Sequence, residues 1–301
     1  MTLLGCGLMQ ESIDLVRSRA EKFGCGDFRY IDVGPMIQQL KRRGVSSYVS
    51  YAVYSRIYIA DVLAADHGRV LYLDCDTLVN GPLDELFAVE LGGRPIGLAP
   101  DCVSSDYYRV IRLSGGRRYY NSGVMLIDLD AWRRCDCTRL LMDEIEHPQG
   151  PNPLGDQDVI VRALNDMITP LSPRWNFLSQ YFLFSYSGIR RIVGRQDGLW
   201  ASEEAYLQAQ ALPAIYHFSG NTLGRPWSGD SRHPILRRYR EVASFADVNE
   251  FPKASPLSIP YKVQYWLWRL LPRALFETFA NWMLKAHIWL TYRGFMRGSS
   301  T

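Results

Sequence analysis

Several absences narrow the possibilities for this 301-residue chain before any motif does. Nowhere does it reach the ~18 consecutive apolar residues that a membrane-spanning helix requires. None of its six cysteines is arranged as a Cys-x-x-Cys pair, and Cys135-Asp136-Cys137 is too tight for a usual zinc pair. The N-terminus carries no secretory signal, because Glu11, Asp14 and Arg17 precede any adequate apolar core. These absences lead us to expect reduced thiols in a cytoplasmic protein. Lysine does not occur between Lys41 and Lys253, and no internal repeat or low-complexity segment is present.

The composition is that of an ordinary folded protein, 47% hydrophobic and 22% charged, and the length allows one large domain or two small ones. The net charge of +3 is unevenly placed. Residues 258–301 hold Lys262, Arg269, Arg273, Lys285, Arg293 and Arg297 against Glu277 alone, which makes the tail +5 and the rest −2. A basic tail on a slightly acidic body argues against a nucleic-acid groove across the main domain.

Short apolar runs alternate with helical patterns. Strands are expected at Thr2–Gly5, Phe28–Val33, Val70–Leu73, Ile96–Ala99, Val124–Ile127 and Ala214–Phe218. Helices are expected from Gln10 to Phe23, with Ile13, Val16 and Ala20 inward, and from Ser46 to Ala65, where Val53, Ile57, Ala60 and Ala64 recur at helical spacing. A helical turn should follow Pro82 through Phe87, and a further helix should start near Asp156. The alternation predicts an α/β domain with a mostly parallel sheet. A boundary is expected at residues 251–260, rich in Pro and Ser.

The pattern centres on Val70-Leu71-Tyr72-Leu73-Asp74-Cys75-Asp76-Thr77, an apolar strand that stops at two carboxylates one residue apart. Alternate residues of an extended chain face the same side, so Asp74 and Asp76 can converge beyond the strand end, where open α/β sheets hold ligands. Two carboxylates there call for a cation, and a hard ion such as Mg²⁺ or Mn²⁺ leaves positions open for phosphates. Asp-x-Asp alone is weak, since Asp128-Leu129-Asp130 and Asp156-Gln157-Asp158 repeat it. The first of these more readily caps a helix entering Trp132.

In combination the motifs are specific. Tyr54-Ser55-Arg56, Leu73-Asp74-Cys75-Asp76-Thr77 with Gly81-Pro82-Leu83, Tyr120 to Asp128, Gly155-Asp156-Gln157-Asp158, and Tyr216-His217-Phe218-Ser219-Gly220 with Arg225-Pro226-Trp227 follow one another over residues ~50 to ~230. In this order they resemble glycosyltransferase family 8, retaining enzymes that use nucleotide-activated hexoses, and within it the bacterial lipopolysaccharide glucosyl- and galactosyltransferases. The resemblance implies a GT-A-type nucleotide-sugar-binding domain over residues 1–250, followed by a helical tail over 251–301. It also implies that the chain begins at the family's second strand, without the strand–helix pair whose Asp-x-x-Tyr-like segment holds uridine. A misplaced start codon or natural truncation is the expected origin.

By the same resemblance, Asp74, Asp76 and His217 hold Mn²⁺ or Mg²⁺. Arg56, Asp74, Asp76, Asn121, Ser122, Asp156, Gly220 and Arg225 bind UDP-glucose or UDP-galactose. Asp156 and Gln157 are the catalytic pair, with Asp156 on sugar hydroxyls and Gln157 at the anomeric carbon. Arg225 stands where the family usually has lysine. A glutamine amide is a poor nucleophile, which favours front-face substitution; Asp158 is the alternative nucleophile. Read alone, Arg56 fits a surface arginine, Asn121-Ser122 a turn, Asp156 an N-cap and His217 a packed histidine.

A rival class, the haloacid-dehalogenase-type phosphohydrolases, also uses Asp-x-Asp-x-Thr after a strand. It needs a lysine that the Lys41–Lys253 gap denies, and an acid where Ile160 stands. A catalytically inactive membrane-associated relative is the non-enzymatic alternative. In the tail, Tyr261, Tyr265, Trp266, Trp268, Phe276, Phe279, Trp282, Trp289, Tyr292 and Phe295 interleave with basic residues. Such interleaving predicts a peripheral foot on the inner face of the cell membrane, near a saccharide or glycolipid acceptor; a helical pair covering the core is the competing expectation.

Overall fold

The computed structural model describes residues 1–43, 50–63, 67–113, 116–194, 201–220, 222–228, 231–248 and 259–297. Its strands are β1 (Thr2–Gly5), β2 (Arg29–Asp32), β3 (Arg69–Leu73), β4 (Thr77–Val79), β5 (Ile96–Pro100), β6 (Tyr120–Asp128), β7 (Ile168–Pro170), β8 (Phe177–Leu178) and β9 (Ile215–His217). They form sheets in the orders β1-β2, β3-β6-β5-β7 and β4-β9-β8. The expected strands are all present, with ends shifted by a residue or two except in β6, which starts well before Val124. Asn121, Ser122 and Gly123 thus lie inside a strand and not in a bounding turn.

The chain groups into two compact units, one of residues Met1–Tyr72, Leu91–Gly97 and Leu126–Thr169, the other of Leu73–Glu90, Leu98–Met125 and Pro170–Thr301. In the first, β1 and β2 pair in parallel from Thr2 opposite Arg29 to Gly5 opposite Asp32. Helix Gln10–Lys22 buries Ile13 and Ala20 as its spacing predicts. Asp128 caps helix Leu129–Arg134, its Oδ1 accepting the Ala131 N–H at 2.8 Å. Helix Asp156–Leu164 buries Val159, Ile160, Val161 and Leu164.

The long helix expected over 46–65 is not what forms. Tyr51–Tyr58 is a 3₁₀ segment that passes into the short helix Ile59–Val62, and residues 44–49 and 64–66 lie outside the described residues. The run is rich in aromatic and β-branched side chains, which lose rotamer freedom in an α-helix. Tyr54, Ser55, Arg56 and Ile57 are buried in succession, so no single helical stripe describes it. Ser50 caps the start, its Oγ accepting the Ala52 N–H at 3.3 Å.

The second unit is built on a core that includes Phe177, Leu178, Tyr181, Ile189, Tyr206, Phe276 and Ala280. Tyr206 satisfies its hydroxyl on the Phe184 carbonyl at 2.8 Å, and Tyr181 on the Pro100 carbonyl at 2.8 Å. The boundary expected at 251–260 falls mostly outside the described residues. After it come helices Ile259–Leu270 and Arg273–Arg297. The second helix docks at both ends: Phe276 stacks on Phe184 with centroids 5.6 Å apart, buried Glu277 accepts the Ser185 N–H at 2.6 Å, and Tyr292 stands edge-on to Tyr107 with centroids 6.1 Å apart. Gly188 makes room for that carboxylate, since a Cβ there would meet Glu277 at 2.6 Å. Ala280 and Ile288 are also buried and Tyr265, Leu267, Trp268 and Leu284 pack against the core, while Trp266, Leu270, Trp282, Trp289 and Leu290 face outward. Among the described residues no helix is long and apolar enough to cross a membrane.

Because Phe276 is fully buried in an aromatic stack, Phe276→Ala is expected to destabilise the second unit by about 3–5 kcal/mol. Urea unfolding followed by tryptophan fluorescence measures this, and a midpoint equal to wild type would show that the helix does not help hold the core.

Candidate metal and active site

The second unit gathers three potential metal ligands from two distant stretches. β3 ends at Leu73, and Cys75 and Asp76 form a tight turn before β4 begins at Thr77. The two carboxylates therefore converge through a turn and not through the alternation of an extended strand, which corrects the expectation. The Asp74 N–H donates to the Gly123 carbonyl at 2.8 Å, and Thr77 Oγ1 closes the turn on the Asp74 carbonyl at 2.8 Å. β9 then runs antiparallel to β4, with His217 opposite Thr77, and the Phe218 N–H donates to the Asp76 carbonyl at 2.9 Å. That register sets the imidazole beside the turn. One ligand atom each from Asp74, Asp76 and His217 lies within 4.8 Å of the others.

Gly123 is what leaves them space. A Cβ at this position would stand 2.2 Å from His217 Cε1, 2.7 Å from Nδ1 and 2.9 Å from Asp74 Oδ2. His217 Nε2 is 3.3 Å from Asp76 Oδ1, and the Arg225 guanidinium donates to Asp76 Oδ2 at 3.0 Å. Burial alone would raise the Asp76 carboxyl, but hydrogen bonds and charge from His217, and then from Arg225, hold it well below the usual carboxylate range. Two carboxylates and one imidazole, with a glycine cradle between them, fit a divalent ion that accepts oxygen and nitrogen, such as Mn²⁺.

Behind the imidazole runs a buried chain of amides that sequence inspection missed. His217 Nδ1 lies 2.9 Å from Asn176 Oδ1, and Asn176 Nδ2 donates to Asn121 Oδ1 at 2.8 Å. Asn121 Nδ2 donates to Asp101 Oδ2 at 2.9 Å, and the Gly123 N–H donates to Asn121 Oδ1 at 2.9 Å. Neither Asn176 nor Asp101 falls in a motif string. Only the parallel pairing of β8 with β9, Leu178 opposite His217, brings the Asn176 segment alongside. Ser122 is buried beside Asn121 in β6.

After β9 the chain turns at Gly220, whose φ of +76° favours glycine and whose missing Cβ would approach Gln180 Nε2 at 3.1 Å. His233, also unforeseen, anchors this loop. Its Nε2 lies 3.2 Å from Ser179 Oγ, and its ring stands edge-on to Phe182 and Phe218. Burial, and then the charge of Arg225, push its pKa down to about 4.

The first unit holds the other predicted residues. Arg56 Nε sits 3.1 Å from Asp156 Oδ2, both side chains nearly inaccessible, and the guanidinium lies 4.7 Å from the Tyr72 ring centroid. Arg56 is therefore no surface arginine. Asp156 is not the N-cap either; Gly155, at φ +65°, takes that position. Gln157 is buried beside it in the first turn. Asp158, the alternative nucleophile, is fully buried with Oδ2 accepting the Leu154 N–H at 2.7 Å, which ties it to the preceding loop. Arg162 pins the same loop, bonding Glu144 Oε1 at 2.7 Å, the Pro151 carbonyl at 3.1 Å and the Asn152 side chain.

A family model described as Glycosyl transferase family 8 matches residues 10–231. General stress protein A of Bacillus subtilis is 28% identical over 207 residues, covering 68% of each chain. Glycosyltransferase GlyB of Streptococcus pneumoniae is 29% identical over 206 residues, 67% of this chain and 44% of that one. The chain thus spans about two thirds of the first relative's length and less than half of the second's. A solved structure of the galactosyltransferase LgtC with donor and acceptor sugar analogues superposes with a TM-score of 0.62 at 24% identity, covering 83% of this chain and 86% of that one. The likeness establishes a GT-A-type fold.

A histidine held neutral by burial costs stability where the unfolded chain would bind a proton. The folded pKa of His233 is lowered to about 4 from 6.5, so its contribution is intact above pH ~6.5 and falls by ~1.4 kcal/mol per pH unit between ~6.5 and ~4. His233→Phe, which cannot titrate, should flatten that part of the profile in urea unfolding at pH 7.5, 6 and 5. Parallel profiles for the two proteins would refute the assignment.

Proposed function

The chain belongs to glycosyltransferase family 8, and from that premise we propose that it transfers a hexose, glucose or galactose, from a UDP-sugar to a saccharide acceptor with retention of configuration. Lipopolysaccharide or another glycolipid is the acceptor class proposed, and the fold shared with LgtC, whose structure holds donor and acceptor sugar analogues, supports a saccharide acceptor. The observation that carries the proposal is the meeting of Asp74, Asp76 and His217 within 4.8 Å. These three would hold Mn²⁺, or Mg²⁺, which when bound supplies a Lewis acid for the charge that grows on a departing diphosphate.

The chain's own residues supply the rest. Arg225 offers a bidentate fork to diphosphate oxygens, a role for which its guanidinium leaves Asp76. Arg56, with Asp156, binds the donor, and Asp156 accepts hydrogen bonds from sugar hydroxyls. Asn121, Ser122 and Gly220 belong to the donor-binding set through their place in the motifs. Gln157 faces the anomeric carbon; its amide is too weak a nucleophile for a two-step covalent route. Front-face substitution follows, in which the bond to the diphosphate breaks as the acceptor oxygen bonds on the same face and the leaving diphosphate takes the acceptor's proton.

The assay is UDP release from UDP-glucose and UDP-galactose with Mn²⁺ and a saccharide acceptor. Wild type is expected to prefer one donor, EDTA to abolish release, and Asp76→Asn to lower kcat/KM at least ~100-fold, about 2.7 kcal/mol of transition-state stabilisation. No release from any UDP-sugar at high protein concentration would sink the proposal in favour of an inactive relative.

The C-terminal segment, residues 251–301, serves as a peripheral foot on the inner face of the cell membrane. Outward Trp266, Trp282 and Trp289 suit the headgroup level, and Lys262, Arg269, Lys285 and Arg293 suit anionic lipid. Phe276 and Glu277 stay packed against the core, so exposed residues must be changed rather than the segment deleted. Trp266→Gln, Trp282→Gln and Trp289→Gln together should lower sedimentation with anionic vesicles at least ~10-fold without changing the melting temperature; unchanged sedimentation would rule out the foot.

A further inference from the structure

The amide chain behind His217 has a direction, and we infer that Asn176 is a positioning residue that fixes this imidazole with its proton on Nδ1. The inference rests on the metal-site assignment proposed above and extends it to residues outside the ligand set. The direction follows from which groups can only donate and which can only accept. The Gly123 backbone N–H only donates, so the Asn121 atom 2.9 Å from it is the oxygen. That leaves the Asn121 amide nitrogen for Asp101 Oδ2, at 2.9 Å, while Asp101 Oδ1 accepts the Cys102 N–H at 2.6 Å. Both oxygens of Asp101 thus accept from nitrogen donors.

Asn121 Oδ1 must in turn receive a donor from Asn176, which orients the second amide with Nδ2 toward Asn121, at 2.8 Å. Asn176 therefore presents its oxygen to His217, at 2.9 Å, and only a protonated Nδ1 satisfies it. Nε2, 3.3 Å from Asp76 Oδ1, is the ring atom left facing the carboxylates. With Nδ1 held as a donor, Nε2 is the nitrogen through which the ring can ligate an ion. Asn176 is fully buried, and Asn121 and His217 are nearly so, so no solvent exchange can scramble the order. Reversing any one amide would oppose two donors or two acceptors, at a cost of ~1–3 kcal/mol for each unsatisfied group.

The test reads the proton directly. Nitrogen-15 NMR of the metal-free protein, with the His217 signal assigned by its loss in His217→Gln, should show a proton on Nδ1; an unprotonated Nδ1 would overturn the inference. Mn²⁺ binding, followed by the free-ion EPR signal, should weaken 10–100-fold in Asn176→Ala. It should recover part of that loss in Asn176→Asp, whose carboxylate still accepts from Nδ1 while its second oxygen loses the donor contact with Asn121. An alanine variant within twofold of wild type would leave Asn176 a packing residue only and refute the role. Should the alanine variant fail to fold, the Nδ1 proton of wild type still decides. Wild type that shows Nδ1–H but binds no Mn²⁺ would overturn the metal-site reading, while the tautomer result would uphold the order of the amides.

Discussion

At Gly123 the backbone of β6 runs so close to His217 that a single methyl group would overlap the imidazole at 2.2 Å. The rest of the second unit's site depends on that close approach. The same glycine accepts the Asp74 N–H on its carbonyl and donates its own N–H to Asn121. One residue without a side chain thus seats the acidic turn, gives the imidazole its place and fixes the sense of the amide chain. Space, hydrogen-bond direction and ligand convergence are here three consequences of one strand.

Charge is handled differently in the two units, and burial explains the difference. In the first, Arg56 and Asp156 form a nearly inaccessible pair, where desolvation penalises any charge left alone. In the second, Asp76 is shared between His217 and a part-exposed Arg225, so partners can change without stranding a charge in the interior. A carboxylate flanked by a fixed imidazole and a part-exposed guanidinium suits the cation and diphosphate proposed for this site. Asp158 and Arg162 do a third kind of work, tying the 150–155 loop in place so that Gly155 can turn into the helix carrying Asp156 and Gln157.

Local patterns were legible where one face or one cap governs them. The apolar alternation and turn residues located the strands, Asp128 its helix, and the spacing of Ile13 and Ala20 the buried face of helix Gln10–Lys22. The pattern misled over 51–62, where burial on successive residues produces a 3₁₀ segment that helical periodicity does not describe. It misled again at Asn121-Ser122-Gly123, read as a turn because of composition. There the Asn121 side chain is satisfied by Asp101, Asn176 and the Gly123 N–H, a pairing that no local propensity encodes. Asn176, Asp101 and His233 escaped notice because their partners lie far away in sequence and each reads singly as an ordinary polar residue.

By itself the sequence determined the inventory and its order: an acidic pair after a strand, glycines where the backbone must pass close, a distant histidine, and a combination specific enough to indicate the family. Tertiary structure alone decided that Arg225 and Asp76, 149 residues apart, share a hydrogen bond. It also decided that His217 stands opposite Thr77, and that the amides behind it point one way. The reason is physical. Propensity and periodicity act over a few residues, whereas strand register and the pairing of buried donors with acceptors are settled only when distant segments compete for the same interior space.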